Sequence, residues 1–385
     1  MRTLPAIVAS IALVSTAHAT TYVITDLGVL PAGGTSVAYA VNQSGTAAAG
    51  YANGTRAFRW TSPGPIQDLG TLGGNFAGAE GINDLDQVVG SSATAGGAGH
   101  AFRYAGFGPM QDLGTLPGGQ TSSGLGINNF GTVVGQSGSA NGNRAYRWTQ
   151  GLGMQSLGVL AGGNLSLAHG INDNDEVCGY SNVAGGNQHA FRWTQGLGMQ
   201  DLGTLPGGNN SSAYAISSDG QITGTSNAAG VGSRAFLWIP GGGGMLPLGA
   251  LPGDATSQGH GVNILGQVIG LSGIANPFLW TQAGGMVNLN TLIDPSTPDW
   301  NLLDATAIND NGIIAGDGLF NGVDHAFLAT PVPEATTVAT FLVVGAASLA
   351  VRRARNPNDE TRMTSDRAFS GVGVSPTHNR VSEMN

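Results

Sequence analysis

One short pattern returns seven times along this chain at nearly constant spacing, and it leaves few folds open. Asp26-Leu27-Gly28 recurs as Asp68-Leu69-Gly70, Asp112-Leu113-Gly114, Ser156-Leu157-Gly158 and Asp201-Leu202-Gly203. Weaker copies follow at Pro247-Leu248-Gly249 and Asn288-Leu289-Asn290. Successive copies lie 42, 44, 44, 45, 46 and 41 residues apart. A period of this size marks a repeat architecture, in which each unit buries its apolar face against the next. The repeat therefore overrides the two or three domains that 385 residues would otherwise suggest.

Three further signatures lie between the marks: small-x-small-Ile/Val-Asn (Gly81-Ile82-Asn83, Gly170-Ile171-Asn172), Val-Val-Gly (Val133-Val134-Gly135), and His/Arg-Ala-Phe-Arg-Trp (His189 to Trp193). Each unit thus holds four short runs of strand composition separated by turn chemistry. Three residues after the Asn stand Gly45, Gly131, Gly220, Gly266 and Gly312, with Asp86 and Asp175 in the other two units. Gly reaches positive φ freely and Asp tolerates it, so this column predicts a left-handed turn residue. The units show no helical period. Four strands per 44 residues predict an all-β fold, a seven-bladed β-propeller of four-stranded blades over 20–330. The ends support closure. Tyr22 to Leu27 reads as a lone fourth strand, while the last unit stops after its third strand, His325 to Leu328. The N-terminal strand would complete the last blade and cover its edge. An open β-solenoid is the alternative, but it leaves the split unit without a purpose.

Composition narrows the partners. The chain has 65 Gly, only 10% charged residues and a net charge of −9; it contains no Lys, and its 14 basic residues are all Arg. Without a basic stripe, nucleic acid is not an expected partner. Recurring Ile, Val, Phe, Trp and Leu, within a 41% hydrophobic fraction, can bury a core. The single cysteine, Cys178, stands in a strand position held by Val in sister units, so it reads as a small buried hydrophobe.

The two ends carry targeting patterns. Arg2, the apolar run Leu4 to Val14, and Ala17-His18-Ala19 form a secretory signal over 1–19, cleaved by signal peptidase after Ala19. Near the other end, 331–355 holds an apolar stretch from Ala335 to Val351 followed by Arg352, Arg353 and Arg355. This run sits at the lower length limit for a transmembrane helix, with its Arg cluster on the cytoplasmic side. The polar tail 356–385 lacks periodicity and reads as disordered.

Pro333-Glu334, a short apolar span and an Arg cluster together resemble the PEP-CTERM sorting signal. That resemblance implies processing by an exosortase in exopolysaccharide-producing Gram-negative bacteria. Two departures bear on cleavage: Ala335 stands where such signals carry a second Pro, and about thirty residues follow the Arg cluster. The repeats resemble the HAF-repeat family of extracellular proteins, through the His-Ala-Phe at His100, His189 and His325. Together the resemblances imply an exported protein, anchored in the inner membrane as a precursor and then periplasmic, cell-surface or extracellular.

No catalytic constellation is visible: there is no G-x-S-x-G elbow, zinc-protease helix, P-loop or dinucleotide fingerprint. The recurring Asp26, Asp68, Asp112 and Asp201 read as strand residues bonding backbone, one per blade. His100, His189 and His325 share a column with Arg56, Arg144 and Arg234, which disfavours a metal ring, since Arg is no metal ligand. Asn172 to Glu176 and Asn309 to Gly312 carry oxygen ligands at alternate positions, so Asp173, Asp175 and Asp310 form a weak calcium alternative to plain turn chemistry. One column varies where its neighbours do not. Three residues before the Asn stand Tyr39, Glu80, Leu125, His169, Tyr214, His260 and Thr306, flanked on both sides by Ala or Gly. If this strand is innermost, these side chains surround the channel, and Tyr39, Glu80, His169, Tyr214 and His260 are the candidate ligand-binding residues; packing between blades is the structural alternative. The function expected is a non-enzymatic surface or matrix scaffold that binds exopolysaccharide or an envelope ligand. The alternatives are a carbohydrate-active enzyme, which needs paired carboxylates, and a purely structural envelope protein.

Overall fold

The computed structural model describes residues 20–31 and 33–332. The signal segment, the sorting segment with its expected transmembrane helix, and the tail lie outside the described residues. Among those described, no helix is long and apolar enough to cross a membrane.

Among the described residues, twenty-eight strands form seven four-stranded antiparallel sheets. Six sheets are consecutive meanders, as in blade 1 with Ser36–Val41, Ala47–Ala52, Arg56–Thr61 and Gln67–Asp68. The seventh is assembled from both ends. Trp300–Ile308, Ile314–Phe320 and Val323–Pro331 receive Tyr22–Gly28 as their outer strand, in a register that runs from Tyr22 opposite Pro331 to Gly28 opposite Ala326. The seven-bladed reading and its split blade are thus both present, and the solenoid alternative is excluded.

The turn column behaves as its chemistry dictates. All seven residues have positive φ, from 57° at Asp86 to 86° at Gly220. One departure from pure β structure occurs where the Asp-Leu-Gly mark has decayed most. Leu289–Leu292 forms a single 3₁₀ turn, capped by the Asn288 side chain accepting from the Asn290 N–H. Asn290 then bonds both backbone groups of Leu302, tying the turn to blade 7.

Apolar side chains fill the spaces between neighbouring blades. The Phe column (Phe58, Phe102, Phe191, Phe236, Phe278 and Phe327, with Tyr146 in blade 3) is fully buried. Trp60, Trp148 and Trp280 are buried, while Trp193 and Trp238 pack partly buried against the same cores. Cys178 is also buried, and burial pushes its thiol up to about 12, so it stays protonated and inert at neutral pH.

Polar side chains stitch the blades into a ring. The Asn of each turn accepts from its own turn backbone through Oδ1 and donates through Nδ2 to the next blade. Asn83 thus reaches the Asn128 carbonyl at 2.9 Å and Asn309 the Asn42 carbonyl at 3.0 Å, across the closure. Ser217 is too short for this reach, and Gln221 of the same turn donates to the Ile264 carbonyl instead. A second set of staples uses serine: Ser122, Ser166, Ser211 and Ser257 each accept from the Ala N–H of the preceding blade's third strand, and Ser36 does so from Ala326.

The Asp and His columns explain each other. Asp26, Asp68, Asp112 and Asp201 accept from the Gly N–H two residues on, as backbone-bonding residues should. Each also pairs with the residue just before Ala-Phe: His325 with Asp26, Arg56 with Asp68, His100 with Asp112, and His189 with Asp201. Where the Asp is replaced by Ser156 or Pro247, Arg144 and Arg234 turn to the carbonyls of Asn164 and Ala255. These partly exposed pairs contribute at most about 1 kcal/mol each, so they are scaffold trim.

Candidate functional site: an axial cavity built from seven bulges

The innermost strand of every blade carries a β-bulge, and the bulged residue is the variable one. In blade 3, Gly124 pairs with Gly135 and Gly126 with Val134, leaving Leu125 without a partner. The same skip isolates Tyr39, Glu80, His169, Tyr214, His260 and Thr306. An extra residue leaves the ladder and re-aims its side chain, and here the seven converge. Together with Asp304 they line one cavity of about 260 Å³. The five candidate ligand-binding residues of the sequence are thus brought together in one place.

The flanking columns show why small residues are required there. A Cβ on Gly126 would approach the His169 carbonyl to 2.8 Å, and one on Gly81 would sit 3.2 Å from the Leu125 carbonyl of the next blade. Adjacent inner strands are that close around the axis.

The wall is aromatic on much of its circuit. Tyr39 stacks on Tyr51 at 5.4 Å, and Tyr214 stands edge-on to His169 at 5.0 Å and to His260 at 6.3 Å. His260 Nδ1 lies 3.2 Å from Asp304 Oδ1 and the same distance from the Ala305 carbonyl. Burial holds the His169 imidazole down at about 4 and pushes the Glu80 carboxyl up to about 7. Burial opposes charge on His260, but the hydrogen bond and charge of Asp304 outweigh it and raise its pKa. Asp317, paired across strands with Asp304, is pushed to about 7 by burial, reinforced by Asp324 and Asp304.

A pH dependence of stability follows. Glu80 and Asp317 hold their protons more tightly folded than unfolded. Their contribution is therefore complete below the ordinary values of 4.5 and 3.8 and is lost as pH rises through about 7. His260 acts in the same direction. His169 acts oppositely, withdrawing stability as pH falls from 6.5 towards 4. The carboxyls outweigh the single imidazole. The melting temperature at pH 5 is expected to exceed that at pH 8 by several degrees, with Glu80→Gln flattening the profile; a melting temperature that rises over that interval would contradict the assignment.

Nearer the Asn turns lies a second cavity of about 410 Å³. Seven Val and Ile residues, one before each Asn or Ser217, line its inner part, from Val41 to Ile308. Asp84, Asp173 and Asp310 stand at its rim, each already held: Asp84 and Asp173 by the Asn129 amide (2.8 and 2.9 Å), Asp310 by Gln43 and Ser218. Asp175 lies elsewhere, in an ion pair with Arg147 at 2.7 Å. The three residues weighed for calcium therefore do not converge. Among the described residues no group of three or more His, Cys, Asp or Glu is placed to hold a metal ion.

Sequence reading missed Asp304. It occupies a register where Val37, Gly78, Ser123, Leu167, Ser212 and Gln258 stand in the other blades. The lone acid in that column was the available signal, and a second irregularity between Leu302 and Asp304 marks the place in the ladder.

Fold and site together define a closed seven-bladed β-propeller with an axial cavity. No family model and no curated protein matches the chain. Among solved structures it is similar to an oligogalacturonate lyase from Vibrio parahaemolyticus, with 13% identity and a TM-score of 0.51, covering 81% of this chain and 94% of that one. It is also similar to a putative TolB from Agrobacterium tumefaciens (12% identity, TM-score 0.43, covering 82% and 100%) and to the BP39L lectin from Burkholderia pseudomallei (10%, 0.40, 81% and 98%). At these identities the first likeness is one of fold alone, and the other two carry no argument.

Proposed function

We propose that this protein is an exported, non-catalytic propeller that binds a ligand of the cell envelope or its exopolysaccharide in the axial cavity. The observation that carries the reading is the convergence of the seven bulged residues. The fold repeats its scaffold residues seven times, yet it fills these seven converging positions with five residue types. Drift in a packing position would favour apolar replacements; Tyr, Glu, His and Thr around a cavity are recognition chemistry. A cavity so lined also favours ligand binding over a purely structural role. The address comes from the signal segment ending at Ala19 and from the Pro333-Glu334, apolar and Arg352-Arg353 pattern. On this reading signal peptidase acts at the first segment and an exosortase at the second, and the repeats resemble those of HAF-type proteins.

A glycan array probed with the purified protein tests this. The expected result is a defined set of bound glycans, lost when Tyr39, Glu80, His169, Tyr214 and His260 are all replaced by Ala. Binding that survives the five replacements would end the proposal. Glu80 and Asp304 share the cavity, and the raised Glu80 carboxyl suits a general acid, which favours a carbohydrate-active enzyme as the second reading. A bound glycan recovered at its original mass supports binding; a shortened one supports the enzyme.

A further inference from the structure

We infer that the axial cavity takes a ligand bearing a protonated amine, seated between the carboxyl groups of Glu80 and Asp304 and the rings of Tyr39 and Tyr214. This rests on the cavity being the ligand site, and it names the ligand's chemistry. The charge inventory is one-sided. Two carboxyls line the cavity, no Arg is among the lining residues, and the chain contains no Lys. A third carboxyl, Asp317, lies one strand out from Asp304. His260 partners Asp304, and among the described residues no ion pair reaches Glu80. Carboxyls taken out of water need a partner of opposite charge or hold their protons more tightly, and burial pushes the Glu80 carboxyl up to about 7.

The aromatic lining points the same way. Carboxylates beside tyrosine rings form the usual cradle for an organic ammonium, because the ring faces attract positive charge while the carboxylate neutralises it. Tyr39 and Tyr214 supply the rings. His169, held neutral by burial, has ring contacts with Tyr180 and Tyr214 and adds no competing cation. Leu125 and Thr306 complete the wall, and the Thr306 hydroxyl is already engaged with the Ala38 carbonyl at 2.7 Å. Nothing in the fold requires these acids. The registers of Asp304 and Asp317 hold Val37 and Tyr51 in blade 1, and Leu167 and Tyr180 in blade 4, with the same strand pairing. In an exopolysaccharide, the corresponding chemistry is an amino sugar with a free amine.

Isothermal titration of the full protein with a glucosamine tetramer and with its N-acetylated counterpart tests the inference, in wild type and in the Glu80→Gln and Asp304→Asn variants. The free-amine oligomer is expected to bind at least tenfold more tightly than the acetylated one. Each variant should weaken it tenfold or more while still unfolding in a single cooperative transition above the titration temperature. Equal or tighter binding of the acetylated oligomer overturns the inference, as does unchanged affinity in both variants, or no binding of either oligomer by wild type. A neutral glycan that binds wild type and is lost in the five-alanine variant would refute the amine while leaving the axial site standing. A glycan that binds both proteins equally would remove the site itself.

Discussion

A chain lacking residues 20–28 is expected to lose its cooperative unfolding transition and to aggregate. Tyr22, Ile24 and Leu27 are exposed by only 1%, 6% and 3%, and burying side chains of this size contributes roughly 1.5–3 kcal/mol each. Their removal alone approaches the whole stability of an ordinary domain, about 5–15 kcal/mol. The deletion also strips the ladder from Val323–Pro331 and removes the Gly28 carbonyl to which the Ser36 hydroxyl donates at 2.6 Å. What remains is a nine-residue edge strand open to pairing with another chain. Thermal melting and size-exclusion chromatography read the outcome. An unchanged melting temperature with a full monomer fraction would mean that the ring does not depend on this strand.

Replacing Gly135 by Ala is expected to cost on the order of 3 kcal/mol, a large effect for one methyl group. The bulge at Leu125 pushes the Ser123 carbonyl over the facing strand, so a Cβ on Gly135 would lie 1.9 Å from that oxygen and 3.1 Å from the Gly124 Cα. The contact is with backbone, so no rotamer relieves it. Gly50, Gly90, Gly179, Gly224, Gly270 and Gly316 face an inner-strand carbonyl in the same way. Gly99, which has open space around its Cβ position and no positive φ, is the control, and Gly99→Ala should change stability by less than about 0.5 kcal/mol. Chemical denaturation of the two variants separates them. Equal stabilities would mean that the bulge yields, and that the Val-Val-Gly column has another cause.

The parts of this molecule that repeat were legible in its sequence, because a period of about 44 residues exposes every scaffold column by comparison with its sisters. The four strands per unit, the left-handed residue three after the Asn, the burial of Cys178 and the split blade all follow from that comparison and from elementary turn chemistry. The column of Tyr39 and its counterparts stood out because it varied between invariably small neighbours.

Features that depend on one blade meeting another were not legible. The bulge adds a single unpaired residue without changing composition, and its only trace was the unbroken Gly column of the facing strand. The amide belt from Asn83 to the Asn128 carbonyl needs the ring before it has a partner. Asp173 and Asp175 looked like one ligand set because they are two residues apart. The left-handed residue at 175 instead sends one carboxylate to the channel rim and the other to Arg147.

The most direct test of the axial site is a crystal structure of the protein with a glycan selected on the array. The bulged residues are predicted to surround the bound sugar, with ligand density between Glu80, Tyr214 and His260. Density at a blade rim or on the outer strands, with the axial cavity holding only water, would contradict the account.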